Sequence, residues 1–399
     1  MSPSQEFEVV VVGGGVAGLV TAVRLQRAGV RTLLIEERNW VGGRLAKTPL
    51  GDLEVDAGAE SFATRNTAVA ELIGELGIDL TVATPNAAGA MLASKGRSGI
   101  RRAPLPKGTI LGVPGRPWAR DVRRSIGVAG AFRASLDGVL PPHFGDNQAR
   151  LGVLVERRMG RRVRELVDAV CRSVYSTPAK DVEIDLVAPS LRAGFLRRGS
   201  LARAVRSIAY GGRPGSAVEG LEGGLWRLAP ALAEVFHASG GELWTGASAR
   251  SITRSDASRI DVVVEVNDTQ ETVRAGHVVL AVPGPGAAKL LASVDPKLSA
   301  ALGGVPFRGV TVACVRLTSP RLDGNPVGTG IIAAEGVGSR AKALTHMNAK
   351  WAWFASLLGP HDHILRLSFD GTSAATVAIA ADRDEVARDL TILTGVVIN

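Results

Sequence analysis

The sequence has 399 residues, 46% hydrophobic and 21% charged, a composition typical of a globular protein with two or three domains. Its two cysteines exclude a disulfide framework, and no apolar run of about 18 residues indicates a membrane-spanning helix. The net charge is +9, and the acidic N-terminus lacks the features of a secretory signal, so we expect a cytoplasmic protein.

A short apolar, β-branched run at residues 7–12 leads into three consecutive glycines, Gly13-Gly14-Gly15. Such a run predicts a parallel strand buried on both faces. Residues 16–28 carry apolar side chains at helical spacing, and Gly29 is placed to end that helix. Residues 31–36 are a second apolar run, so the segment predicts a strand–turn–helix–strand unit.

The turn glycines follow the spacing Gly13-x-Gly15-x-x-Gly18. In this fingerprint, glycine permits the tight turn, the approach of the backbone to a pyrophosphate and the packing of helix on strand. Free amides at the start of the helix favour phosphate. Glu36, at the end of the second predicted strand, can accept hydrogen bonds from ribose hydroxyls. The segment therefore predicts nucleotide binding.

Two later loops of small residues favour FAD over NAD. The first loop contains Gly42-Gly43-Arg44, and its arginine can pair with a phosphate. The second loop is Gly58-Ala59-Glu60-Ser61, which permits close approach to a further part of an extended cofactor. FAD is long enough to need this second cradle, so the sequence predicts FAD.

The remaining elements predict two nucleotide-binding halves, residues 1–85 and 215–300, around a basic helical insert at 86–214. Within the insert, residues 86–125 are expected to be irregular and 125–210 helical, with one helix over 152–170. Residues 301–399 are expected to supply further strands and a final helix at 383–393. Strands are predicted over the following ranges: 242–250, 261–266, 272–281, 310–317, 328–333 and 364–369.

The basic excess lies in one segment, because residues 91–214 hold 24 basic and 9 acidic side chains. A solvated helical surface, an anionic membrane surface and a substrate with several carboxylates all fit this charge. Aromatic residues are only 4% of the chain and do not interleave with the basic ones, which disfavours nucleic acid. His361 and His363 have no evident acidic or cysteine partner, so no metal site is predicted.

The order of the three glycine-rich motifs resembles that of the flavin-containing amine oxidase superfamily. Further stretches resemble its protoporphyrinogen/coproporphyrinogen oxidase branch, among them Ser173-Val174-Tyr175, the glycine-rich run at 219–225 and Lys350-Trp351. The resemblance implies an α/β fold with a Rossmann-like, GR2-type FAD domain, a mixed-sheet substrate domain and a helical insert. It also implies that chains of this family continue for some tens of residues past the final helix, so the C-terminal FAD segment is expected to be missing here.

The resemblance assigns FAD contacts to residues of the three motifs and of a later strand: Gly13, Gly14, Gly15, Val16, Ala17, Gly18, Glu36, Glu37, Gly43, Arg44, Gly58, Ala59, Glu60, Ser61 and Ala249. The implied reaction, in heme biosynthesis, oxidises a porphyrinogen with O2, with coproporphyrinogen III favoured over protoporphyrinogen IX. Arg101, Arg102 and Lys107 are candidates for contacts with the substrate carboxylates. The resemblance also implies peripheral contact with a membrane and a downstream ferrochelatase-type protein as a partner.

No catalytic residue is assigned, because a flavin supplies the chemistry itself. Two alternatives stay open: another flavin amine oxidase or desaturase, and an inactive FAD-binding remnant. Amine oxidases often surround the amine with aromatic side chains, and only two tyrosines occur in this chain.

Overall fold

The computed structural model describes residues 5–64, 67–96, 99–208, 218–256 and 258–398. The chain forms two compact units. The first unit comprises Met1–Ala83 and Gly220–Phe307, and the second comprises Thr84–Glu219 and Arg308–Asn399. No helix in the described ranges is both long enough and apolar enough to cross a membrane.

The strands, in chain order, are β1 Gln5–Val12, β2 Thr32–Ile35, β3 Lys47–Leu50, β4 Leu53–Asp56, β5 Phe62–Ala63, β6 Val82–Ala83, β7 Met91–Gly96, β8 Gly99–Pro104, β9 Thr109–Ile110, β10 Val113–Pro114, β11 Val218–Leu221, β12 Glu242–Trp244, β13 Ala247–Arg254, β14 Ile260–Val266, β15 Thr269–Leu280, β16 Val310–Thr318, β17 Gly330–Ala333, β18 Ala343–His346 and β19 Asp362–Asp370. The α-helices are α1 Val16–Arg27, α2 Ala68–Leu76, α3 Arg120–Ser135, α4 Leu151–Met159, α5 Arg161–Tyr175, α6 Ile184–Val187, α7 Pro189–Arg198, α8 Leu201–Ile208, α9 Leu228–Ala238, α10 Gly284–Leu291, α11 Pro296–Gly303, α12 Met347–Lys350, α13 Ala352–Ala355, α14 Ala374–Ala381 and α15 Arg383–Thr394.

The first unit is built on a sheet with the strand order β12-β2-β1-β15-β14-β13. Strands β12, β2, β1 and β15 run parallel to one another, whereas β14 pairs antiparallel with β15 and β13. Val9 and Val11 of β1 enter one hydrophobic cluster with α1 and α9, while Val10 and Val12 enter another. A central strand buried on both faces is what its continuous apolar run predicts.

The second unit contains a mixed sheet with the order β16-β19-β18-β17-β7-β8. Only the β17–β7 pair is parallel among its recorded strand pairs. Helices α3 to α8 share a large apolar core with Leu92 of β7, and α15 packs in a separate cluster with the sheet residues Ile331 and Leu367. The predicted α/β class with a Rossmann-like domain is confirmed.

Three local predictions were wrong. Residues 86–125 are not irregular, because β7 and β8 form a hairpin within them. The helix expected over 152–170 is two helices separated at Gly160, whose φ of 87° breaks the helical path. The strand expected over 242–250 is likewise divided by Gly246, whose φ is 64°.

The domain division also differs from the prediction. The expected insert at 86–214 and the strand-rich segment at 301–399 lie in one compact unit, because β7 of the first segment pairs with β17 of the second. The expected boundary between residues 214 and 215 lies outside the described residues.

Candidate functional site

The first glycine turn joins β1 to α1 at the carboxyl end of the parallel strands. The amide of Gly13 donates to the carbonyl oxygen of Ile35 at 2.7 Å, which fixes the turn beside β2. Helix α1 begins at Val16 without a side-chain cap at Gly15 and without an acidic residue in its first turn. The amides of Val16 and Ala17 therefore lie at a helix end whose partial positive charge suits an anion.

At two positions of this turn, a steric constraint requires glycine. Gly13 has a φ of 108°, and a Cβ on Gly18 would lie 1.8 Å from the carbonyl oxygen of Gly13. Gly15 differs, because a Cβ there would meet nothing within 4 Å. The space in front of Gly15 is thus open, as a cradle for a phosphate requires.

The second glycine loop lies directly against the first. The amide of Gly42 donates to the carbonyl oxygen of Gly14 at 2.8 Å, and Gly15 and Gly42 form a parallel bridge. A Cβ on Gly43 would lie 3.2 Å from the Cα of Gly15. The two loops therefore lie side by side at the start of α1.

The third loop lies against the second. The amide of Ala59 donates to the carbonyl oxygen of Arg44 at 3.0 Å, and a Cβ on Gly58 would lie 1.9 Å from the same oxygen. Glu60 and Ser61 follow at half-buried positions. Three motifs that are separated in the sequence are thus brought together around the start of α1.

Glu36 is buried, with 8% of its surface exposed. Its Oε2 accepts from the amide of Gly14 at 2.7 Å, and its Oε1 accepts from the amide of Arg38 at 3.0 Å. The carboxylate therefore braces the glycine turn, and each oxygen keeps a second lone pair for a ribose hydroxyl. Glu37, the next residue, is exposed.

Strand β13, which carries Ala249, begins next to Glu36. The amide of Ala247 donates to the carbonyl oxygen of Glu36 at 2.9 Å, and that of Gly246 donates to Arg38 at 2.8 Å. Ala249 lies two residues further along β13, at a register shift in its pairing with β14. This position is consistent with a backbone contact to the base of a nucleotide whose ribose lies near Glu36.

Arg44 is exposed, and its guanidinium lies over the ring of Phe307 at 5.0 Å from the centroid. Stacking on an aromatic face leaves the planar fork of donors available to a phosphate.

Asp56 is an anchor that the sequence prediction missed. This buried carboxylate accepts from the amide of Leu225 at 3.0 Å and from that of Trp226 at 2.8 Å. The two amides follow Gly223 and Gly224, which have φ angles of 81° and 109°. The glycine-rich run at 219–225 stood out in the sequence, but nothing in the sequence pairs it with Asp56.

The three candidates for substrate contacts have different surroundings. The predicted substrate contact of Arg102 needs correction. Its guanidinium donates to the carbonyl oxygens of Ile392 at 2.6 Å and Leu393 at 2.8 Å, at the end of α15. Burial also lowers the pKa of Arg102 below its ordinary value. Arg102 therefore caps the end of a helix. Arg101 lines a cavity. The substrate contact of Lys107 stays a prediction.

A pair of buried histidines is a second feature that the sequence prediction missed. His363 lies buried in β19. Its Nδ1 is hydrogen bonded to Nε2 of His346 at 3.0 Å, and its Nε2 lies 3.1 Å from Asp323. Burial, followed by the neighbouring His363, lowers the pKa of His346 from 6.5 to about 4.

Cys171 lies in the apolar core. Burial raises the pKa of its thiol to about 12, so this cysteine is not a nucleophile.

The groups gathered around the start of α1 are suited to a dinucleotide. They combine an uncapped helix end, open space at Gly15, a buried carboxylate and an exposed arginine within one unit. These are the groups that a pyrophosphate and a ribose require.

Residues 16–347 match a family model described as flavin containing amine oxidoreductase. A coproporphyrinogen III oxidase from Mycobacterium leprae is 29% identical over 382 residues, which cover 94% of this chain and 80% of that protein. One from Propionibacterium freudenreichii is 27% identical, over 82% of this chain and 66% of that protein. A crystal structure from Exiguobacterium, assigned as a protoporphyrinogen oxidase, superposes with a TM-score of 0.78 at 21% identity, over 100% of this chain and 85% of that one.

Proposed function

From the premise that the chain belongs to the flavin-containing amine oxidoreductase family, we propose that this FAD-dependent oxidoreductase oxidises a porphyrinogen to its porphyrin. Coproporphyrinogen III is the favoured substrate, with O2 as the electron acceptor. The observation that carries the proposal is the similarity to a coproporphyrinogen III oxidase along 94% of this chain.

FAD, when bound, supplies the two-electron oxidation and passes the electrons to O2. A porphyrinogen loses six electrons and six protons on becoming a porphyrin, and three O2 molecules become three H2O2. The chain itself has to bind the cofactor, orient the substrate and exclude competing reactions.

We assign the pyrophosphate of FAD to the first turn of α1, because its amides are uncapped and Gly15 leaves open space. Glu36 then accepts from ribose hydroxyls while it braces Gly14. Arg44 pairs with a phosphate, and the loop from Gly58 to Ser61 borders the further part of the cofactor.

The preference for coproporphyrinogen over protoporphyrinogen rests on charge. Coproporphyrinogen carries four carboxylates and protoporphyrinogen two, and the basic excess at 91–214 suits the more acidic molecule. Arg101 and Lys107 remain the proposed contacts, since Arg102 is engaged by α15. A cytoplasmic location, contact with a membrane surface and a ferrochelatase-type partner stay predictions.

The test supplies coproporphyrinogen III, protoporphyrinogen IX and a primary amine separately to the FAD-loaded protein. Porphyrin fluorescence and peroxide are followed together under air. We expect both signals with coproporphyrinogen III, at a higher kcat/KM than with protoporphyrinogen IX. Peroxide with the amine and no porphyrin fluorescence would assign the chain to amine oxidation.

The same assay tests the third possibility, an FAD-binding protein without oxidase activity. A protein that retains the yellow cofactor and yields neither porphyrin nor peroxide with the three compounds would overturn the proposal.

A further inference from the structure

The second unit contains a strongly basic cavity between the β7–β8 hairpin, α3 and α5. Its volume is about 720 Å³, and a second cavity of about 660 Å³ shares the side chains Lys95, Arg101 and Arg162 with it. These volumes lie within the range of small-molecule sites and well above the size of a single phosphate.

Acidic side chains near this cavity are mostly neutralised by their own partners. Three ion pairs achieve this: Arg161–Glu165 at 2.8 Å, Arg164–Glu156 at 3.3 Å and Arg172–Asp168 at 2.9 Å. The remaining acid in the lining, Glu335, is exposed. Within the described ranges, neither Lys95 nor Arg162 has an acidic partner, so their positive charges stay uncompensated.

The fold holds these charges together at one place. Arg101 lies opposite Ser94 in the β7–β8 pair, and its guanidinium donates to the carbonyl oxygen of Ser125 in α3. Arg162 lies in the first turn of α5, which carries no acidic residue, and packs against Gly130 of α3. The positive end of the helix therefore adds to the side-chain charges.

Three polar atoms of this lining are buried without a hydrogen bond among the described residues. They are the Oγ of Ser94, the Nε of Arg101 and the Nε of Arg164, of which the last lies in an ion pair with Glu156 at 3.3 Å. An unpaired buried donor costs about 1–3 kcal/mol, and like charges held close together add repulsion. A ligand with several anionic oxygens would remove both costs.

We propose that this cavity binds an anion that carries two or more carboxylate or phosphate groups. Lys95, Arg101 and Arg162 are its charged contacts, and Ser94 supplies a hydroxyl. The inference rests on the lining of the cavity and not on the oxidation proposed above, although Arg101 is also one of the proposed contacts with the substrate carboxylates.

Binding is measured on the FAD-loaded protein by calorimetric titration with citrate and, separately, with inorganic pyrophosphate at constant ionic strength. The test variant is Lys95→Gln/Arg162→Gln. The matched control is Arg197→Gln/Arg198→Gln, which removes the same charge from exposed positions on α7. All four substituted side chains are exposed, and circular dichroism checks that both variants fold.

We expect one saturable site for at least one of the two anions. The test variant should bind about tenfold more weakly or worse, whereas the control should match the wild type. Which anion binds better distinguishes a carboxylate ligand from a phosphate ligand. Equal affinities in all three proteins, or no saturable binding of either anion, would overturn the inference, whatever the outcome of the porphyrinogen assay.

Discussion

We expect the substitution Gly15→Ala to weaken FAD binding without destabilising the fold. Gly15 has a φ of −70° and a ψ of 175°, which alanine adopts without strain, and its new Cβ would have no neighbour within 4 Å. The free energy of unfolding of the protein without FAD should therefore stay within about 1 kcal/mol of wild type.

The same methyl group projects into the space assigned to the pyrophosphate. A phosphate oxygen in contact with the glycine backbone must retreat by about 1 Å or more, which breaks hydrogen bonds from the first turn of α1. Each hydrogen bond to a charged group contributes about 1.5–3 kcal/mol. Losing two of them predicts an affinity for FAD that is roughly 10²–10⁴-fold weaker.

The affinity is measured by titrating the protein freed of FAD and following the quenching of flavin fluorescence. Urea unfolding without FAD reports the stability of each variant. Gly74→Ala is the matched control, because Gly74 lies in α2, outside the three glycine loops, and also has no atom near an added Cβ. If Gly15→Ala binds FAD as tightly as this control, the pyrophosphate does not lie in front of Gly15.

Three further predictions concern stability. Gly58→Ala places a Cβ 1.9 Å from the carbonyl oxygen of Arg44 and should cost about 2–3 kcal/mol in urea unfolding; an unchanged midpoint would show that the loop relaxes freely. Asp56→Asn replaces one of two accepting oxygens by an amide donor, so we expect a loss of about 2 kcal/mol by the same measurement, and wild-type stability would refute the anchoring role. For His346, the native pKa of about 4 is depressed below 6.5, so its stabilising contribution is present above pH 6.5 and is lost as the pH falls towards 4. Wild type should lose roughly 3 kcal/mol across this window and His346→Asn clearly less, whereas parallel pH profiles would contradict the assignment.

The sequence predicted the cofactor site well because its determinants are local. A tight turn followed by a helix start needs glycine at positions such as Gly13 and Gly18, where a side chain would strain the backbone or strike a carbonyl oxygen. The spacing of these glycines and of Glu36 therefore indicated the strand–turn–helix–strand unit and its nucleotide. The later motifs indicated FAD, because each combines small residues with a polar anchor.

Other features depend on partners far apart in the chain. The pattern of residues 86–125 gives no sign that β7 pairs with β17, more than two hundred residues later, and this pairing joins two predicted domains in one unit. Arg102 looked like a substrate contact by its charge, yet the end of α15 takes its guanidinium. Asp56 and the turn at Leu225 are likewise joined only in the folded chain.

The sequence by itself therefore determined the class of the fold, the nucleotide-binding unit and the flavin, because steric limits on the backbone act between close neighbours. Tertiary structure decided which glycine loops contact one another, which arginines remain available and where uncompensated charge collects. These outcomes depend on strand pairing and burial between distant segments, and a pattern of near neighbours does not specify them.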